Sequence, residues 1–145
     1  MASTFESELA EALRAERGAL AAYRRLAGLV REPELARLLA TFVEDERRQV
    51  EELIATTRAL GIEPVRPSLR RRVLAELLAA TVLLGARGMV LRLCLDAEET
   101  RARWYGHLGG FLRQQGEPRF DASFARMARL KLQHAQALGA WVRSD

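Results

Sequence analysis

Two stretches carry the pattern that decides the fold: Ala15-Glu16-Arg17-Gly18-Ala19-Leu20-Ala21-Ala22-Tyr23 and Ala97-Glu98-Glu99-Thr100-Arg101-Ala102-Arg103-Trp104-Tyr105. In each, a tyrosine follows a glutamate by seven residues, which on a helix puts both side chains on one face. Downstream of the first stretch lies Glu46-Arg47-Arg48-Gln49, and downstream of the second Lys131-Leu132-Gln133-His134. The glutamates are 82 residues apart and the two strings 85, so the chain repeats one frame nearly in register. That frame is a glutamate on one helix followed by an i, i+3 pair of polar residues on the next.

Composition agrees with helix. Of the 145 residues, 49% are hydrophobic and only 6% aromatic, and Ala, Leu, Arg and Glu dominate. Such a length is that of one domain, residues 1–145, able to bury about two thirds of its unfolded surface. The single cysteine, Cys94, rules out an intrachain disulfide framework and a cysteine-based zinc site. No cleavable leader is evident, and the most apolar stretch, Val73 to Leu84, is shorter than the roughly 20 residues of a membrane span. The expectation is a cytoplasmic protein without a membrane partner. The net charge of +4 does not argue for nucleic acid, because the arginines are scattered among glutamates. All basic residues but Lys131 are arginine, the bias of a GC-rich bacterial genome.

Apolar periodicity predicts helices over about 4–31, 33–60, 68–84, 89–114 and 119–142. Ser3-x-x-Glu6 forms a capping box for the first, and Pro33 opens the second, which Gly61 closes. Pro64 and Pro67 keep the next connection out of helix, Gly85 and Gly88 mark a break, and Gly116 with Pro118 ends the fourth. The buried stripes run through Phe5, Leu9, Ala12, Ala19, Ala27 and Val30; Leu35, Leu38, Leu39, Phe42, Leu53, Thr56 and Leu60; Leu91, Leu95, Ala102 and Leu112; and Phe120, Phe124, Met127, Leu138 and Trp141.

Within these stripes, not opposite them, fall Glu16, Glu46, Gln49, Glu98, Lys131 and His134. An unpaired buried charge costs several kcal/mol, so these residues must meet one another or a metal ion. Tyr23 and Tyr105 read as core tyrosines bonded to a carboxylate, and Trp104, Met89 and Met127 as packing residues. His107, Glu44, Asp45 and Glu99 read as surface groups, although Glu99, beside Glu98, is a candidate stand-in ligand.

The four elements in this order resemble the ferritin-like superfamily, most closely its rubrerythrin type, over roughly residues 5–60 and 89–142. The resemblance implies an all-α four-helix bundle of two helical hairpins, with the helix at 68–84 an addition in the long connection. In that superfamily two helices each give a glutamate and two others each give Glu-x-x-His to a di-metal centre. By that analogy Glu16 and Glu98 are terminal ligands, Glu46 bridges and His134 binds, while Tyr23 and Tyr105 stand behind them. The same analogy marks two departures: Gln49 stands where a histidine belongs and Lys131 where the second bridging glutamate belongs. A carboxamide is a poor ligand and a protonated lysine is none.

Three carboxylates and one ammonium leave this pocket a formal charge of −2, which one divalent cation would cancel and two would exceed. Lys131 can therefore act as an internal cation replacing a metal, paired with Glu46 and with Glu16. Alternatively, one carboxyl and His134 take up protons. The favoured expectation is a ferritin-like protein without its di-iron centre or any other cofactor, acting as a structural or interaction module and not as an enzyme. The alternatives are a protein binding one iron or manganese ion through Glu46, Glu98 and His134, for oxidoreductase, iron-handling or peroxide chemistry, and a small-molecule binder using the polar core. The helix at 68–84 is apolar nearly all round, so it predicts a homodimer with that helix at the contact, or a monomer in which it wedges against the bundle's open end.

Overall fold

A computed structural model of the chain describes residues 4–143. The described residues form five α-helices and no strand: α1 Thr4–Ala27, α2 Pro33–Ala59, α3 Leu69–Leu83, α4 Arg87–Gln114 and α5 Asp121–Arg143, with a 3-10 turn at Pro118–Phe120. The Ser3 capping box falls outside the described residues. None of the helices is long and apolar enough to cross a membrane. The chain divides into two compact units, Met1–Val90 and Leu91–Asp145.

In the first unit α1 and α2 form a helical hairpin. Leu9, Leu13 and Leu26 on α1 and Leu35, Leu39 and Leu53 on α2 are fully buried. Tyr23 packs edge-on against Phe42, with ring centroids 5.2 Å apart. α1 stops at Ala27, four residues before the expected end at 31. Gly28 is a poor helix former, and Pro33 holds Glu32 in an extended conformation, at φ −72° and ψ 119°. The chain therefore leaves the helix through short turns at Gly28 and Leu29, and Val30 is only half-buried.

α3 lies on α1 through its smallest residues. Ala75 and Ala79 are buried, and the stem of Arg71 crosses Gly18, where an added Cβ would sit 3.0 Å from Arg71 Cδ. Arg71 also pairs with Glu11, and Arg25 with Glu76 at 3.1 Å. Ser68 caps the helix by accepting a hydrogen bond from the Arg71 amide. Only this one face of α3 is covered; Leu69, Val73, Leu74, Leu77, Leu83 and Leu84 are each more than half exposed.

In the second unit, Leu91, Leu108 and Leu112 on α4 and Phe124, Met127 and Leu138 on α5 are buried. The rings of Tyr105 and Phe124 lie 6.1 Å apart, repeating the tyrosine–phenylalanine contact of the first hairpin. α4 begins at Arg87, two residues earlier than expected, and α5 begins at Asp121 after the 3-10 turn that Pro118 opens. Leu95, Phe120 and Trp141 are half-buried, at the margins of their stripes. Met89, expected to pack, is 56% exposed, because the residues that follow it, Val90 and Leu91, supply this turn's contribution to the core instead.

Helices α2, α3 and α4 end in one motif. After α2, Gly61 at φ +76° donates to the Arg58 carbonyl while Ile62 donates to that of Thr57, and Gly85 and Gly116 head the same pair of bonds after α3 and α4. A side chain at Gly61 would touch nothing within 4 Å, so alanine there carries only the strain of the left-handed backbone. We expect Gly61→Ala to cost about 1 kcal/mol and to lower Tm by roughly 3 °C, as read by thermal denaturation.

Candidate functional site

The polar residues of the stripes are all shut away from water. Glu16, Glu46, Glu98 and Lys131 have no measurable exposure, and Gln49 and His134 are 3% and 2% exposed. In the first unit α1 contributes Glu16, two turns from Tyr23, while α2 contributes Glu46 and Gln49 on the face that also carries Phe42 and Leu53. These positions follow from the 3.6-residue period that places Leu35, Leu39, Phe42, Glu46, Gln49 and Leu53 on a single stripe.

The second unit shows how such a charge is held. Glu98 lies near the middle of α4, and Arg101, one turn further, donates from Nη2 to Glu98 Oε1 at 2.6 Å. From α5, Lys131 Nζ stands 3.7 Å from the other oxygen, Oε2, and His134 Nδ1 stands 3.6 Å from it. Lys131 and His134 are one helical turn apart, so the two reach the same oxygen from one face of α5. The i, i+3 string of the sequence thereby brings an ammonium and an imidazole within about 4 Å of one carboxylate oxygen, at ion-pair and not hydrogen-bond distance.

Burial alone would raise the pKa of Glu98, but the Arg101 guanidinium, then the Lys131 ammonium and the nearby imidazole, outweigh it and hold the carboxyl well below its usual range. Cys94, one turn before Glu98, shows the opposite balance. Burial pushes its thiol up to about 12, the charge of Glu98 adds to the rise, and Arg101 offsets part of it. Buried in this way, Cys94 is a packing group.

The structure adds one partner and removes one candidate. Lys131 is buried as expected, and beside it stands Glu98, a carboxylate that the sequence did not assign to it, because the two lie opposite each other within the α4–α5 pair. Glu99 is exposed and is no stand-in for a core ligand, since one residue along a helix turns the side chain by about 100°. Arg101 was not singled out from sequence although it is only 8% exposed; its signal was the i, i+3 spacing from Glu98. His107 and Glu44 are exposed and Asp45 is half-buried, so none adds to the core set.

Comparison of the chain with protein-family models, with curated proteins and with solved structures finds no match.

Removal of Glu98 takes away the anion that Arg101 and Lys131 share. We expect Glu98→Gln to cost about 3–5 kcal/mol in urea unfolding, and Lys131→Met distinctly less, because Arg101 still faces the carboxylate and a desolvated ammonium is gone. Equal costs would mean that Arg101 contributes little. The depressed carboxyl also sets an acid limb. Its contribution is complete above the unfolded-state value of 4.5 and declines as pH falls from there toward the lower folded value. Between about pH 5 and pH 3 the parent should therefore lose more stability than Glu98→Gln, measured as the shift in urea midpoint.

Proposed function

We propose that this chain is a ferritin-like helical protein in which internal cations have taken the place of the di-metal centre, leaving the helices as a structural or interaction module. The observation that carries the reading is the environment of Glu98. The resemblance makes this residue a terminal metal ligand, yet its two oxygens already face Arg101 and Lys131. A pair of divalent ions does not fit that donor set. Lys131 supplies positive charge where a bridging carboxylate would supply negative charge, and Gln49 supplies a neutral amide where an imidazole would bind. Arg101 and Lys131 both lie against Glu98, so a metal ion added at this carboxylate would meet positive charge.

A second reading has its own support. Within the second unit Glu98 and His134 are both buried, with Glu98 Oε2 3.6 Å from His134 Nδ1, and the sequence frame adds Glu46 as the second carboxylate. Two carboxylates and an imidazole with open positions suit one iron(II) or manganese(II) ion and oxidative chemistry.

Metal analysis of protein purified without chelators separates the two. The proposed function predicts well under one equivalent of iron or manganese per chain and no rise in Tm on adding either ion anaerobically. A full equivalent, lost in His134→Ala, would establish the one-metal reading in its place. The double variant Gln49→His, Lys131→Glu restores four carboxylates and two imidazoles to the frame. It should be less stable than the parent without metal and gain about 2.7 kcal/mol at iron(II) a hundredfold above Kd. No gain would mean that the ancestral-type site is not recoverable by these two changes, against the ferritin-like reading.

A further inference from the structure

α3 presents one face to α1 and keeps an ordered apolar seam on the other. Val73, Leu77, Ala80 and Leu84 follow one another at spacings of four, three and four, all exposed, with Leu69 and Leu74 beside them. That is the repeat by which one helix packs along another. The two buried residues, Ala75 and Ala79, lie on the opposite side, so the seam does not compete with docking onto α1.

The charges on α3 are arranged for a particular neighbour. Arg70, Arg71 and Arg72 crowd its first turn, which has no acidic residue, and its last turn has no basic one. This is the unfavourable arrangement for a helix's own dipole, whose N-terminal end is positive and C-terminal end negative. Arg71 is engaged by Glu11, whereas Arg70 and Arg72 are exposed. A helix running antiparallel alongside would bring its negative C-terminal end to these arginines and, if it has the same sequence, send its own arginines to the C-terminal end of this one. A parallel neighbour of the same sequence would instead set arginine against arginine.

We propose that α3 pairs with α3 of a second copy of the chain, antiparallel about a two-fold axis between Glu76 and Leu77. Val73 then meets Ala80 of the second copy, Leu69 meets Leu84, and Leu77 lies beside its own equivalent, offset by one residue's rise of ~1.5 Å. Five large aliphatic side chains at about 100 Å² each come to roughly 500 Å² per chain, and with Ala80 and the arginine stems this approaches the ~800 Å² that each partner gives to a standard interface. A self-complementary face of this kind closes on two copies and stops there.

Sedimentation or light scattering over a dilution series reaching about 50 μM tests the pairing and gives its dissociation constant. The expected mass is near twice the chain's 16.3 kDa. Leu77→Glu and Leu84→Glu lie on exposed positions, so helix content by circular dichroism should hold while the dissociation constant rises on the order of 100-fold. Under a mild oxidant, Leu77→Cys should cross-link to itself, and a mixture of Leu69→Cys with Leu84→Cys should cross-link where Leu84→Cys alone does not. A mass near 16.3 kDa overturns the proposal and leaves the face to another kind of partner. A doubled mass unmoved by Leu77→Glu overturns it too, and cross-linking of Leu84→Cys to itself overturns the antiparallel pairing.

Discussion

A carboxylate without access to water can remain ionised only if positive charge is brought to it, and Glu98 is the clearest case in this chain. Its partners come from two directions: Arg101 from its own helix, and Lys131 with His134 from the helix that packs against it. The arrangement fixes register. Sliding α5 along α4 by one turn, ~5.4 Å, would carry Lys131 and His134 away from Glu98, which keeps Arg101 on its own helix, and so costs a buried ion pair. The aromatic contact of Tyr105 with Phe124 and the leucines on either side are consistent with that register but would tolerate others, since apolar packing has no direction. The ionic cluster thus favours one register of the second hairpin, while apolar packing stabilises it.

The first hairpin carries polar groups just as deeply, in Glu16, Glu46 and Gln49, but the helix laid against it is of a different character. α3 is joined to α1 through alanines, a glycine and arginine stems, which bring the two backbones close while burying little apolar surface. Its bulky residues are turned the other way. A protein that only needed to cover its core would place the leucines inward and the alanines outward, so the reversed pattern is a property of the outer face.

Much of this was legible in the sequence, for a physical reason. Charge in an apolar stripe is rare because it is costly, so Glu16, Glu46, Glu98, Lys131 and His134 identified themselves as buried by periodicity alone, and so did Gln49. Helix ends at Gly61, Gly85 and Gly116 were equally readable, since the left-handed cap favours one residue type. Partner choice was not readable. Lys131 could reach a carboxylate on any neighbouring helix, and nothing in one-dimensional spacing singles out Glu98. Arg101 was hidden among many arginines, because a long side chain on the flank of a helix can fold its head inward without disturbing the polar pattern. The end of α1 was overrun for a related reason: Val30 continues the apolar period, but period says nothing about a backbone already turned aside ahead of Pro33.

The way α3 is attached has a consequence for how the molecule opens. Its links to α1 are two small buried side chains, the Arg71 stem over Gly18, and the partly exposed ion pairs Arg71–Glu11 and Arg25–Glu76. Such pairs are weakened by salt, and alanine contacts hold little apolar area, so α3 has far less to lose by detaching than α1, α2 or the α4–α5 pair. Its amide hydrogens are therefore expected at the low-energy end of the exchange spectrum, released by a local excursion before global unfolding. The same excursion exposes the Ser68 cap and the Pro64–Pro67 connection together, which makes this segment the natural first point of proteolytic entry and its protection by ionic strength or by association a direct gauge of what rests against it.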